Sequence, residues 1–137
     1  MRQSTVSRNC LDDLIEKYVT NGNTTNSTDA ASECMQDGRK LPLPKTKEEN
    51  TELYNFMVSS NITRIWIDLN DADENGDFRD REGNVTTFYS WLSNQPQNNG
   101  SCVEMDRTYG DGWSVVPCHK SFAISYVCEY GKKYYFS

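Results

Sequence analysis
Apolar residues recur at helical spacing in the first part of the chain and at alternating spacing in the rest. Leu11, Leu14, Ile15 and Tyr18 fall at the intervals of one helix face, which fits a short amphipathic helix or the approach to a first strand. Thr20 to Thr28 is a polar Asn/Thr/Ser loop. Asp29 to Met35 is Ala-rich and helix-prone and Gly38 is a good stop, which predicts a first helix ending near Asp37. Pro42 and Pro44 force an extended stretch. Thr46-Lys47-Glu48-Glu49 then reads as a capping box: Thr46 accepts a backbone N–H while the Glu49 carboxylate reaches back to the cap. Leu53, Phe56 and Met57 form the buried stripe of this second helix.

From Arg64 the period is two and the residues are β-branched or aromatic, predicting strands over Ile65 to Leu69, Val85 to Trp91, Gly112 to Val116 and Phe122 to Tyr130. In the last of these Phe122, Ile124, Tyr126 and Cys128 share a face, so Cys128 points into the core. Between Leu69 and Gly100 lie Asp-, Asn-, Gly- and Gln-rich stretches, too polar to be buried and too long for simple turns. Helices early and strands late give an α+β fold.

A length of 137 residues fits one domain, and 36% hydrophobic with 12% aromatic residues supports a core built on rings. Twenty acidic against fourteen basic residues leave a net charge of −6, the wrong sign for neutralising phosphates or anionic lipid. Nucleic-acid partners and membrane insertion are thereby set aside, and no apolar run is long enough to span a bilayer. Five cysteines point to an oxidising compartment, and sequons at Asn23, Asn26, Asn61, Asn84 and Asn99 agree with a secreted glycoprotein or an ectodomain. The N-terminus carries no apolar signal segment, so the chain reads as a mature form with Met1 an expression start.

Ala30-x-x-x-Cys34, Gly38-x-x-Leu41, Glu49-Asn50, Trp66-Ile67-Asp68-Leu69-Asn70-Asp71, Gly76-x-Phe78, Tyr89 with Trp91, Gln95-Pro96-Gln97-Asn98, Cys102-Val103, Trp113 with Cys118, and Tyr126-Val127-Cys128-Glu129 follow one another in a recognisable order. On these residues the chain resembles a C-type lectin-like domain. The resemblance covers 17–130, leaving 1–16 as an N-terminal segment with the odd cysteine and 131–137 as a tail. It implies two helices with small antiparallel sheets, a long-loop region that carries ligand, and disulfides Cys34–Cys128 and Cys102–Cys118.

Departures from the family pattern fall at informative places. Ser27 stands where the family has Trp at the start of the first helix, and Asp68 where it has Gly. The sugar-bridging calcium of the family takes oxygens from a Glu/Gln-Pro-Asn/Asp tripeptide, a downstream acid, and an Asn-Asp pair after a Trp. Here the tripeptide is Gln95-Pro96-Gln97, no acid lies between it and Cys102, and Ser114-Val115 follows Trp113. Calcium takes six to eight hard oxygens and is held by carboxylate charge, so these neutral groups make a poor cage. The expected ligand face is Gln95, Gln97, Asn98, Asn99 and Ser114, with Trp113 beside them if exposed, a buried core aromatic being its other role.

Asp71 to Glu82 satisfies the EF-hand spacing, but the flanks read as strands rather than helices, which rejects that fold. An auxiliary calcium of the family would use Asp71, Asn75 and Asn98, with Asp73, Glu74 and Asp77 near enough to compensate for the two amides. The alternative is a solvated acidic loop compacted by Gly76, Arg79 and Arg81. From Asp68 to Glu82, seven of the twenty acids fall in fifteen residues.

His119 is the only histidine, no pair of acids stands apart, and no Gly-rich phosphate motif is present, so an enzyme is not expected. Cys10 reads as a free thiol, a half whose partner has been truncated, or the link of a disulfide-bonded homodimer. Three functions follow: a secreted module recognising a glycan or protein without the sugar-bridging calcium, a calcium-dependent galactose-type lectin, and a disulfide-linked structural or assembly protein.

Overall fold
The computed structural model describes residues 17–120 and 123–130. Leu11, Leu14, Ile15, Cys10, Phe122 and the expected terminal segments lie outside the described residues. In chain order the elements are β1 (Tyr18–Val19), α1 (Ser27–Gln36), α2 (Lys47–Ser59), β2 (Arg64–Asn70), β3 (Cys102–Asp106), β4 (Trp113–Val116) and β5 (Cys128–Glu129), with a 3-10 turn at Arg107–Tyr109. β1 and β5 pair antiparallel as a two-stranded sheet, Tyr18 opposite Glu129. β2, β3 and β4 form a three-stranded antiparallel sheet in that order, with an irregularity in β2 between Ile67 and Asn70.

Local chemistry starts both helices. The Asn26 side chain accepts from the Asp29 N–H, so α1 begins at Ser27, two residues earlier than composition predicts. Thr46 accepts from the Glu49 N–H as the capping box requires. The Glu49 carboxylate accepts from Lys45, one residue before the cap.

Two apolar clusters share β2. Ile65, Ile67 and Leu69 pack with Leu53, Met57, Val103, Met105, Trp113 and Val115. Trp66 turns the other way, into a cluster with Ala30, Ala31, Leu41, Ile124, Tyr126 and the Cys34–Cys128 bridge. A strand covered on both faces reads as a continuous apolar run. Cys102–Cys118 ties β3 to the segment after β4, so four of the five cysteines pair within the chain.

Two strand expectations are corrected. Val85 to Trp91 is not a strand; its one ladder contact with the sheets is the parallel bridge of Trp91 to Trp113, beside which the Phe88 ring packs edge-on against Trp113. Its aromatics fill space instead of building a ladder: Trp91 packs edge-on against Phe78 and Trp113, and Val85 is left exposed. Among the described residues of the last stretch only Cys128–Glu129 is strand, and Ala123, at φ 75°, cannot belong to an extended run. Ser125 still bridges Thr24 and Ile65, and Cys128 does face the core.

Asn50 joins α2 to the rest from a buried position. Its Nδ2 donates to the Asp111 carbonyl (2.9 Å) and the Ser90 hydroxyl (3.3 Å), and its Oδ1 accepts from Trp113 Nε1 (2.9 Å). Asn50→Ala strands the buried indole N–H and leaves the Asp111 carbonyl only the Ser90 hydroxyl (3.3 Å), and we expect a loss of about 2 to 3 kcal/mol in urea denaturation. A loss under about 1 kcal/mol would show that the three bonds are replaceable by water.

Candidate ligand-binding site
The acidic loop leaves β2 and is closed at its base by a backbone pair: the Asn70 N–H donates to Arg79 O and the Arg79 N–H to Asn70 O (2.9 and 3.0 Å). Inside it Asp71 is 6% exposed, and its carboxylate accepts from the N–H groups of Asn75 (3.1 Å) and Gly76 (2.7 Å). Gly76 supplies the φ of 86° that folds the loop back on Asp71. The Asp71 N–H donates to the Ser101 carbonyl (2.8 Å), which brings the 95–101 stretch alongside.

That stretch is pinned by one amide. Gln95 Oε1 accepts from the N–H groups of Val115 and Gln97, both at 3.1 Å, and the Gln95–Pro96 peptide is cis. Gln97 and Asn98 are thereby held with exposed side chains. Between the two stretches lies a groove of about 290 Å³, lined by Asp71, Glu74, Asn75, Pro96, Gln97 and Asn98, with the Phe78 side also contributing. Tyr89 flanks this region: its hydroxyl donates to the Phe78 carbonyl (3.0 Å) and its ring stacks on Trp91. Burial, reinforced by Asp77, raises the Tyr89 phenol above its ordinary range.

The groove brings together Asp71, Asn75, Gln97 and Asn98 of the residues expected from the sequence, and adds Glu74. Asp73 and Asn99 are exposed but do not line it. Ser114 sits in β4 opposite Glu104, away from the groove. Trp113 is corrected: fully enclosed, with its indole committed to Asn50, it offers no surface to a ligand. Gln95 is half-buried and serves to shape the loop rather than to face it.

The donor chemistry separates two calcium positions. For the sugar-bridging ion, Gln95 Oε1 is engaged by two N–H donors, and Val115 contributes an apolar side chain buried in the core. These residues do not fit that ion. Around the groove the oxygens come from the carboxylates of Asp71 and Glu74 and the amides of Asn75, Gln97 and Asn98, and the Asp71 carboxylate is already held by two N–H groups. Among the described residues no three His, Cys, Asp or Glu side chains come together as a metal cluster. His119 is exposed, beside the Cys102–Cys118 bridge. Sequence reasoning missed the Gln95 bonds, which leave no pattern in the order of residues; of the two roles open to Trp113, the buried one holds.

The family model described as "Lectin C-type domain" matches residues 23–130. Collectin-11 of Bos taurus is 31% identical over 111 residues, 77% of this chain and 40% of that protein. An alpha-N-acetylgalactosamine-specific lectin of Patiria pectinifera is 36% identical over 89 residues, 60% of this chain and 52% of that protein. The chain therefore spans about half or less of the length of these curated relatives. Human lithostathine superposes with a TM-score of 0.77 at 25% identity, covering 86% of each chain. No helix among the described residues is long and apolar enough to cross a membrane. The chain belongs to the C-type lectin domain family, whose carbohydrate-recognition domains are non-enzymatic.

Proposed function
We propose that the chain is an extracellular recognition module that binds a glycan or protein ligand in the groove between the acidic loop and Pro96–Asn98, without a sugar-bridging calcium. The observation that carries this reading is Gln95 Oε1, which spends its lone pairs on Val115 and Gln97 N–H groups. An ion at the family's sugar position would have to break both bonds. Exposed Gln97 and Asn98, with Asn75 across the groove, offer amide donors and acceptors suited to sugar hydroxyls or a polar peptide. Two intrachain disulfides suit an oxidising, extracellular setting, and relatives named as collectins and as a sugar-specific lectin support a glycan ligand.

A second reading is favoured by Asp71 and Glu74 in the same groove: a calcium ion held on the acidic side, with the ligand depending on it. Calorimetric titration of calcium, followed by a glycan array with and without chelator, separates the two. We expect chelator-insensitive binding that falls at least tenfold in Gln97→Ala/Asn98→Ala. Sugar binding abolished by chelator would establish the second reading instead.

A further inference from the structure
A second cleft, of about 320 Å³, lies between the loop that follows β1 and the first turns of α1. Asn23 and Thr24 line it from the loop, Asp29, Ser32 and Glu33 from the helix, and Tyr126 from the last stretch of the chain. The three helix residues stand at i, i+3 and i+4, so α1 presents them on one face. The loop is folded by its own side chains: the Gly22 N–H donates to the Thr20 hydroxyl (3.1 Å) and the Asn23 N–H to Asn21 Oδ1 (2.9 Å).

Much of the polar chemistry of this cleft is uncommitted. Among the described residues, the side chains of Asn23, Thr24, Ser32 and Glu33 make no hydrogen bond or ion pair. The Tyr126 hydroxyl accepts from Asn21 Nδ2 (2.8 Å), which leaves its own proton to donate. No Lys or Arg lines the cleft, so nothing there draws an anion. Carboxylates, hydroxyls and an amide without a cation suit an uncharged ring rich in hydroxyl groups.

The chain supplies such a ring beside the cleft. Asn23-Thr24-Thr25 and Asn26-Ser27-Thr28 are both sequons with Thr at the third position, so residue order does not separate them. The fold does. Asn26 is half-buried, its Oδ1 caps α1 by accepting from the Asp29 N–H (2.8 Å), and its Nδ2 donates to the Asp29 carboxylate (3.2 Å). Asn23 is exposed, with its carboxamide uncommitted on the wall of the cleft.

We propose that Asn23 carries an N-linked glycan, that Asn26 does not, and that the first N-acetylglucosamine of that glycan lies in the cleft against Ser32, Glu33 and Tyr126. Attachment joins Asn23 Nδ2 to C1 of the sugar and breaks the bond from C1 to the diphosphate of a lipid-linked oligosaccharide. Nδ2 gives one proton to a base of the transferase, and the lipid diphosphate leaves. The inference rests on the extracellular setting proposed above and on nothing about the ligand of the groove, whose binding is measured separately.

Glycopeptide mapping of the chain secreted from eukaryotic cells behind a signal peptide tests the attachment. Asn23 should be occupied and Asn26 bare; a glycan on Asn26, or none on Asn23, overturns it. Trimming by an endoglycosidase to a single sugar, followed by hydrogen exchange, tests the seat. With that one ring in place the Gly22 and Asn23 amides should be roughly fivefold better protected than in Thr25→Ala, the effect of about one net hydrogen bond. Amides of α2 supply the background from global stability. Nuclear Overhauser contacts should run from the ring to Ser32 or Tyr126. Unchanged protection, or a ring without those contacts, overturns the seat. If Thr25→Ala does not fold, Asn23→Gln removes the same acceptor and serves the same comparison.

Discussion

Acidification from pH 8 to pH 5 should stabilise this protein, by at most about 4 kcal/mol, where most proteins gain little or weaken. Two carboxyls have folded-state pKa values above their unfolded ones: Asp68, pushed by burial up to about 6, and Glu129, pushed by burial up to about 7 despite Lys40 and Lys17 nearby. A group raised in this way binds its proton more tightly when folded. Its stabilisation is complete below the unfolded pKa and is lost as the pH rises through the folded one. The window therefore runs from pH 4 to pH 8. Linkage assigns roughly 1.5 kcal/mol to Asp68 and about 2.5 kcal/mol to Glu129 between pH 5 and pH 8. The Glu129 share is the upper bound, since that residue is only half-buried and water screens it, whereas Asp68 is 4% exposed. Urea denaturation at pH 5, 6, 7 and 8 checks the slope, and Glu129→Gln should flatten most of it. A stability that falls steadily from pH 8 to pH 5 would refute the assignment.

Removing the Cys34–Cys128 bridge is the most damaging covalent change. Its two half-cystines are 94 residues apart in sequence and 5.4 Å apart between Cα atoms, and both are buried with Ala30, Trp66 and Tyr126. In the chain-entropy model such a loop is worth about 4 to 5 kcal/mol, against roughly 3 kcal/mol for Cys102–Cys118 with its separation of 16. Against a total stability of about 5 to 15 kcal/mol, Cys34→Ala/Cys128→Ala should leave the chain partly unfolded at 37 °C. The ranking is the sharper statement. Circular dichroism melts in which Cys102→Ala/Cys118→Ala lost as much would contradict it.

Much of this fold is legible in residue order, for reasons that differ by element. Thr46 acts within three residues of itself, so the start of α2 is a local event that a sequence displays; Asn26 acts as locally, but the polar run around it hid the start of α1, two residues before Asp29. The disulfide pairing came through the family resemblance and stands. The segment from Val85 to Trp91 misled because β-branched and aromatic residues suit any half-buried surface, and here they pack ring against ring with a single bridge, Trp91 to Trp113, in place of a ladder. Asp71, Asn75, Gln97 and Asn98 converge on one groove because the Asp71 N–H reaches Ser101, a contact thirty residues away in the chain. Donor type is visible in a sequence, but not whether a donor is already spent. Gln95 looks like a ligand until Val115 and Gln97 are seen to occupy it.

The short β1–β5 pair sets how the domain carries tension. The Tyr130 N–H donates to the Lys17 carbonyl at 3.3 Å, so the chain enters and leaves the described fold at one point. Pulling those two points apart loads Tyr18–Glu129 before Val19–Cys128, opening the pair like a zip. Unravelling of α1 would follow as far as Cys34, where force crosses the disulfide directly to Cys128. Once Glu129 has let go of Lys40, and Thr20, Thr25 and Ser27 of Tyr126, Ile124, Cys118 and Arg81, the covalent route through the disulfide bypasses residues 35–127, the groove among them.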